Sequence, residues 1–176
     1  MSRKSLVAVV WVVGLIAFSS RASFGADSRS ALEALRNLPR AYQHGVVWMS
    51  ADNADPHPDR WYVSARNADR GGVVMNLTIA GGRVISERPT LSPRAWVRSG
   101  SPMDISEIQV DSTDLWRMAQ EFSDDRGSRL GSLSVQLQQN GRHATPTWSV
   151  WCYDRRGGYI GFFSALATTG TITARR

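Results

Sequence analysis

The segment at residues 146–172 constrains the fold of this chain more than any other part of its sequence. Aromatic and β-branched residues run between Gly-rich breaks in this segment. The pattern predicts a strand, a turn at residues 154–158, a second strand, and a tight turn at residues 168–170 that leads into a short third strand. The C-terminal part of the chain is therefore expected to form an antiparallel meander.

An earlier part of the chain repeats this order at a nearly constant separation. Trp61 corresponds to Trp148, a Gly pair at residues 71–72 corresponds to the pair at 157–158, and Gly82 corresponds to Gly170. Between these points, the alternation of apolar and polar residues predicts further strands. The sequence therefore predicts that a β-rich unit has been duplicated.

Each predicted unit begins with a helix. Residues 30–33 have the form of a capping box, and leucines recur at helical spacing until Pro39, which should end or bend the helix. Asp111 can cap a second helix, with Asp114 favourably placed in its first turn. The predicted fold is α+β, with two tandem pseudo-repeats, each consisting of one helix packed on an antiparallel β-meander.

The N-terminus has the three parts of a secretory signal peptide. A short basic segment precedes an apolar run at residues 6–18, and small residues precede Ala26. The alternative is a membrane anchor, but a helix needs about 20 apolar residues to cross a bilayer. We therefore predict a signal peptide at residues 1–25 and a periplasmic or secreted protein with no stable membrane insertion after cleavage.

Charge and cysteine content restrict the partners and the fold of the mature chain. The signal peptide contains three of the 21 basic residues, which leaves 18 against 15 acidic residues. This small, scattered excess lacks the clustered basic face typical of nucleic-acid binding, so no nucleic-acid partner is expected. The single cysteine excludes an internal disulfide, so the fold must depend on packing.

The remaining chain divides into three parts. The first unit covers residues 26–88, a linker rich in Pro, Ser and Arg covers 89–109, and the second unit covers 110–176. Apolar residues in the linker, among them Trp96 and Ile108, predict that it packs on the body of the protein.

No set of residues in the sequence clearly predicts a catalytic or metal-binding site. Cys152 and His143 could form a nucleophile and base, but Cys152 shares strand parity with Trp148, which favours a core position. The acidic loop at residues 52–59 lacks the spacing of a calcium loop, and the histidines lack that of a zinc site. We therefore predict a protein that is not an enzyme and holds no cofactor or metal.

Three short segments resemble the PepSY-like family of exported bacterial domains. They are Val110-Asp-Ser before the helix, the strand at 146–150, and the ending at 164–172. The resemblance implies a helix packed on an antiparallel sheet, in proteins that bind or inhibit other proteins. Two such units in tandem also resemble the layout of the β-lactamase inhibitory protein, although that inhibitor depends on disulfides that this chain cannot form.

Strand parity identifies a candidate partner site. If Trp148 faces the helix, Trp151 and Tyr153 point to the opposite face of the sheet, near Arg155 and Arg156. A cover by the linker around Trp96, or packing between the two units, would explain these aromatics without a partner. We nevertheless predict that these aromatics bind a protein of the envelope or the extracellular space, with Arg155 and Arg156 adding polar contacts at the rim, because such residues are enriched in interfaces.

Two functions stay open at this point. The favoured one is an exported, non-enzymatic protein-binding or inhibitory module that acts through a sheet face. The alternative is a small-ligand carrier or small hydrolase with a pocket between helix and sheet.

Overall fold

Eight antiparallel strands form one sheet within residues 30–90, 100–141 and 143–176, which the computed structural model describes. The predicted signal peptide and Trp96 lie outside these residues. The strands are β1 (Val46–Ala54), β2 (Trp61–Asn67), β3 (Val73–Ala80), β4 (Arg83–Pro89), β5 (Leu130–Gln138), β6 (Thr147–Asp154), β7 (Tyr159–Leu166) and β8 (Ile172–Arg175).

The strand order across the sheet is β4-β3-β2-β1-β5-β6-β7-β8. Strands β1 to β4 form one meander and β5 to β8 another, and their first strands pair with each other. This junction is antiparallel, with Met49 opposite Leu137 and Ala51 opposite Val135. The two meanders therefore share one continuous hydrogen-bonded sheet.

The helices are α1 (Ala31–Arg36), α2 (Arg40–Gln43) and α3 (Ser112–Asp124), accompanied by 3-10 turns at Ala68–Arg70 and Ile105–Glu107. The prediction of two helix-on-meander repeats is wrong. Of the described residues, 21% are helical and 44% lie in strands, and α3 is the one substantial helix. Pro39 is the physical reason, because it disfavours helical backbone at Leu38 and so divides the first helical segment into two short pieces.

Hydrogen bonds at the start of α3 connect three parts of the chain. Asp111 caps the helix as predicted, and its backbone N–H donates to the Asp114 carboxylate at 3.1 Å. Asp111 Oδ1 also accepts from the backbone N–H of Leu32 at 3.1 Å. The buried Ser112 hydroxyl donates to the Pro56 carbonyl at 2.8 Å and accepts from the Ala31 N–H. The N-termini of α1 and α3 therefore share their capping groups.

One hydrophobic core lies between the helices and one face of the sheet. Trp148 is fully buried there, and its indole N–H donates to the Val110 carbonyl at 3.1 Å. Its ring lies 6.4 Å from that of Trp61, centroid to centroid. Both tryptophans are buried and they come from different meanders, so this contact adds side-chain packing to the β1–β5 junction.

The described part of the predicted linker packs on the body, as expected. The backbone N–H of Met103 donates to the Val46 carbonyl at 2.7 Å, and the N–H groups of Gln109 and Val110 both reach the Ala167 carbonyl. Met103 and Ile108 are buried in the core. The chain between the meanders therefore closes one side of the core.

Candidate functional site

Trp151 and Tyr153 lie on the sheet face away from the helices, as their parity predicts. Their neighbours Val150 and Cys152 are fully buried in the core, whereas Trp151 and Tyr153 are half-buried. Among the described residues, no helix covers this second face, which we call the open face.

Aromatic residues of β7 extend the pair across the neighbouring strand. Phe162 is opposite Trp151, with ring centroids 5.3 Å apart, and Tyr159 is opposite Tyr153, with centroids 5.9 Å apart. Tyr159 retains 60% of its exposure. We call these four residues the aromatic ladder; its two tilted ring pairs lie in the range in which aromatic contacts are favourable.

The structure does not bring Arg155 to this ladder. Arg155 and Arg156 lie in the exposed β6–β7 turn, where Asp154 Oδ1 accepts from the N–H groups of Arg156 and Gly158 at 2.7 and 2.8 Å. Arg155 lines a hollow on the helix side with Arg117 and other residues of α3. Of the two arginines, only Arg156 therefore stays a candidate rim residue for the aromatic ladder.

A cavity of about 570 Å³ lies on the open face, beside the aromatic ladder. We call it the polar groove. Side chains from β1, β2, β3, β5 and β6 line it, among them Trp48, Ser50, Tyr62, Asn76, Gln136 and Trp151.

Strand register explains the floor of this groove. Six residues with hydroxyl or amide groups lie opposite one another on six adjacent strands and form a polar rung. From β3 to β7 across the sheet, they are Thr78, Tyr62, Ser50, Gln136, Ser149 and Ser164.

Hydrogen bonds fix several of the groove's side chains. The Ser64 hydroxyl donates to Asn76 Oδ1 at 2.8 Å, and Gln136 Nε2 donates to Gln138 Oε1 at 2.8 Å. Of the described lining residues, Asp52 is the one with a charged side chain. Sequence reasoning missed this groove: alternation did place Gln136 and Ser64 away from the core, but it could not show that β1 joins β5.

The space between helix and sheet differs from the pocket that the alternative function requires. Phe122 of α3 packs on Phe163 of β7, with ring centroids 5.4 Å apart, so large apolar side chains occupy this interface. A hollow of about 870 Å³ does lie where α3 meets the β7–β8 end. Its lining includes charged residues such as Arg117 and Glu121, which pair with each other at 3.3 Å.

Cys152 occupies a core position, as strand parity favours. Burial raises the pKa of its thiol to about 12, so the thiolate needed for nucleophilic attack is suppressed near neutral pH. His143, its proposed base, lies exposed in the loop before β6. Within the described parts of the chain, no three His, Cys, Asp or Glu side chains cluster as metal ligands do.

Comparison with protein-family models gives no match, and comparisons with curated proteins and solved structures give no significant match. Nothing in them identifies the PepSY-like family, so that resemblance stays a prediction. The described helices include none that is both long enough and apolar enough to cross a membrane.

Proposed function

We propose that this chain is an exported, non-enzymatic protein-binding or inhibitory module that acts through the open face of its sheet. The observation that carries the proposal is the aromatic ladder. Its four rings stand side by side on two paired strands, and Trp151, Phe162 and Tyr153 are only half-buried among the described residues.

Rigidity supports a role in binding. Both strands under the ladder are interior strands of the sheet, and their register is continuous from Thr147 to Cys152 and shifts before the Tyr153–Tyr159 pair. A partner would therefore meet aromatic surfaces that are already positioned, so little conformational entropy would be lost on association. Tyr and Trp also combine a large contact area with a polar group, which is why they are enriched among interface residues that dominate binding.

The alternative of a carrier or hydrolase has less support. Among the described residues, large apolar side chains fill the space between α3 and the sheet, whereas a ligand pocket needs open volume with a few converging polar groups. The raised pKa of the Cys152 thiol disfavours nucleophilic chemistry at that residue.

The test is photo-crosslinking in the envelope fraction of the source organism, with the mature chain as bait. We expect one dominant partner, whose binding weakens by about 2 kcal/mol, or about 30-fold, in Trp151→Ala. Tyr159→Ala should weaken it less, because that ring is more exposed. The matched control is Ile85→Ala, an exposed apolar residue on the far edge strand β4.

Circular dichroism must first establish that each variant is folded. If folded Trp151→Ala and Tyr159→Ala variants both retain the partner at wild-type affinity, the aromatic ladder is not the binding site. If Trp151→Ala unfolds the chain, Trp151 belongs to the structural core and the ladder proposal fails.

A further inference from the structure

We propose that the polar groove binds a neutral oligosaccharide. The inference goes beyond a protein partner for the aromatic ladder, and it shares with that proposal only the accessibility of the open face and the side chain of Trp151. Four observations carry it: the floor of the groove, its walls, its charge and an unused hydroxyl.

The floor is built for hydrogen bonding. Ser50 and Ser64 are 8% and 4% exposed, so small hydroxyl side chains form the bottom of the groove where larger ones would fill it. Thr78 and Gln136 continue this floor to either side of β1 and β2 in the polar rung. Hydroxyl and amide groups both donate and accept, which matches the alternating demands of sugar hydroxyls.

The walls are aromatic. Trp48 and Tyr62 line the groove on the first meander, and Trp151 lines it on the second. A pyranose ring presents a flat face of C–H groups beside its hydroxyls, and such a face packs on the electron-rich face of an indole or phenol ring. Aromatic walls over a hydroxyl floor therefore fit a ligand that is apolar on its ring faces and polar at its edges.

The charge of the lining restricts the ligand further. Among the described residues that line the groove, Asp52 is the one carboxylic acid, and none is Lys, Arg or His. The chain as a whole is rich in arginine, which accounts for 20 of its 21 basic residues. A phosphate, sulfate or carboxylate ligand would find no cation among these described residues, whereas the Asp52 carboxylate can accept hydrogen bonds from the hydroxyls of a neutral sugar.

An unused hydroxyl completes the case. Thr90 lines the groove, and its Oγ1 is buried without a hydrogen-bond partner among the described residues. Buried hydroxyls in folded proteins are generally paired, so this unpaired atom is one that rotation of the Thr90 side chain would turn toward a ligand in the groove. The volume of about 570 Å³ lies within the range of ligand sites, which is about 300 to 1,000 Å³.

The test is isothermal titration calorimetry with a panel of neutral trisaccharides built from glucose, galactose or N-acetylglucosamine. Sulfated forms of the same trisaccharides serve as the charge control. We expect the mature wild-type chain to bind at least one neutral trisaccharide and to bind its sulfated form at least tenfold more weakly. Failure to bind any neutral member, or a preference for the sulfated form, overturns the proposal.

Three variants locate the site. Gln136→Leu keeps the approximate size of the side chain but removes its amide, and Tyr62→Ala removes an exposed wall; each should weaken binding at least tenfold. Tyr153→Ala, in the aromatic ladder but outside the groove lining, should leave sugar affinity within twofold of wild type. If the folded Gln136→Leu and Tyr62→Ala variants both bind the trisaccharide with wild-type affinity, the sugar binds elsewhere and the inference is overturned.

The two proposals fail separately. If Tyr159→Ala weakens crosslinking of the protein partner and no trisaccharide binds, the protein site stands and the sugar site is overturned. If trisaccharide binding depends on Gln136 and no protein partner is captured, the sugar site stands and the protein site is overturned.

Discussion

At the scale of single residues, Trp148 combines two stabilising contributions in one side chain. It is fully buried, so its large apolar area is removed from water, and its indole N–H is paired with the Val110 carbonyl. Its contact with Trp61 connects the two meanders through the core. Few side chains in this chain join so many parts of the structure.

Replacing Trp148 with Ala should therefore lower the free energy of unfolding by about 3 to 5 kcal/mol, because it leaves a cavity and an unpaired carbonyl. Urea unfolding followed by circular dichroism measures this loss, with Ile85→Ala as the exposed control. A loss below about 1 kcal/mol would mean that the core around Trp148 can collapse, contrary to the packing described.

Cys152 predicts a pH dependence of stability. Burial raises the pKa of the Cys152 thiol to about 12, whereas a thiol in the unfolded chain has a pKa of about 8.5. The folded state therefore holds a proton that the unfolded state releases in this window. The protonated Cys152 thiol makes its full contribution to the free energy of unfolding below about pH 8.5. This contribution is lost as the pH rises toward 12, and the free energy of unfolding then falls by up to about 1.4 kcal/mol per pH unit.

Unfolding free energies measured from pH 8 to 11 check this prediction. Other groups titrate in the same range, so the informative quantity is the difference between wild type and Cys152→Ala. We expect the variant to show a shallower decline, and parallel curves would contradict the prediction. In the native wild type, the buried thiol should also resist alkylation by iodoacetamide at pH 8.

At the scale of elements, the junction at Asp111 and Ser112 connects α1, α3 and the loop at Pro56. Asp111 Oδ1 accepts from the N–H groups of Ser112 and Leu32, at 2.7 and 3.1 Å. A single carboxylate thus satisfies backbone donors at the start of two helices, donors that would otherwise lack partners.

Removing that carboxylate in Asp111→Ala should cost about 1 to 2 kcal/mol, toward the upper part of the range for helix caps, because two helices lose a partner. Asp111→Asn retains one acceptor oxygen and should cost less. Thermal unfolding of the two variants side by side measures the difference. Equal losses would show that the charge, and not the hydrogen bonds, provides the stabilisation.

The elements also show what the sequence can predict. Alternation and Gly-rich breaks are local signals, so they placed the strands and correctly assigned Trp148 and Trp151 to opposite faces. The first helix was predicted to end or bend at Pro39, and the restriction that Pro39 imposes on Leu38 does separate α1 from α2, but α1 is too short to be the main helix of a separate unit. The rest of the fold depends on contacts between distant segments, about which a local pattern carries no information.

At the scale of the whole molecule, the pairing of β1 with β5 decides the architecture. The residue alternation in β1 does not specify β5 as its second neighbour, because any strand with the same alternation could pair with that edge of β1. The polar groove depends on this pairing, since Ser50 of β1 and Gln136 of β5 become neighbours only through it. A site assembled in this way cannot be found by reading either strand alone.

This architecture predicts that neither meander folds independently. A fragment of residues 26–90 would lose the Trp148 contact and the β5 partner, and a fragment of 100–176 would lose Trp61 and β1. Each fragment alone should give the narrowly dispersed NMR amide signals of a disordered chain. Mixing the two fragments should restore dispersed signals. A folded isolated fragment would show that a single meander is sufficient.

The β1–β5 junction also determines the order in which the chain can complete its structure. β1 ends at residue 54 and β5 begins at residue 130, so a chain synthesised from its N-terminus contains the β1 segment, still unfolded and without its β5 partner, until residues beyond 130 have been added. Closing such a long loop is entropically slow, and an unpaired segment with high strand propensity is the place where another copy can add. The interval between the appearance of β1 and that of β5 is therefore when the chain is most prone to pair with its own copies.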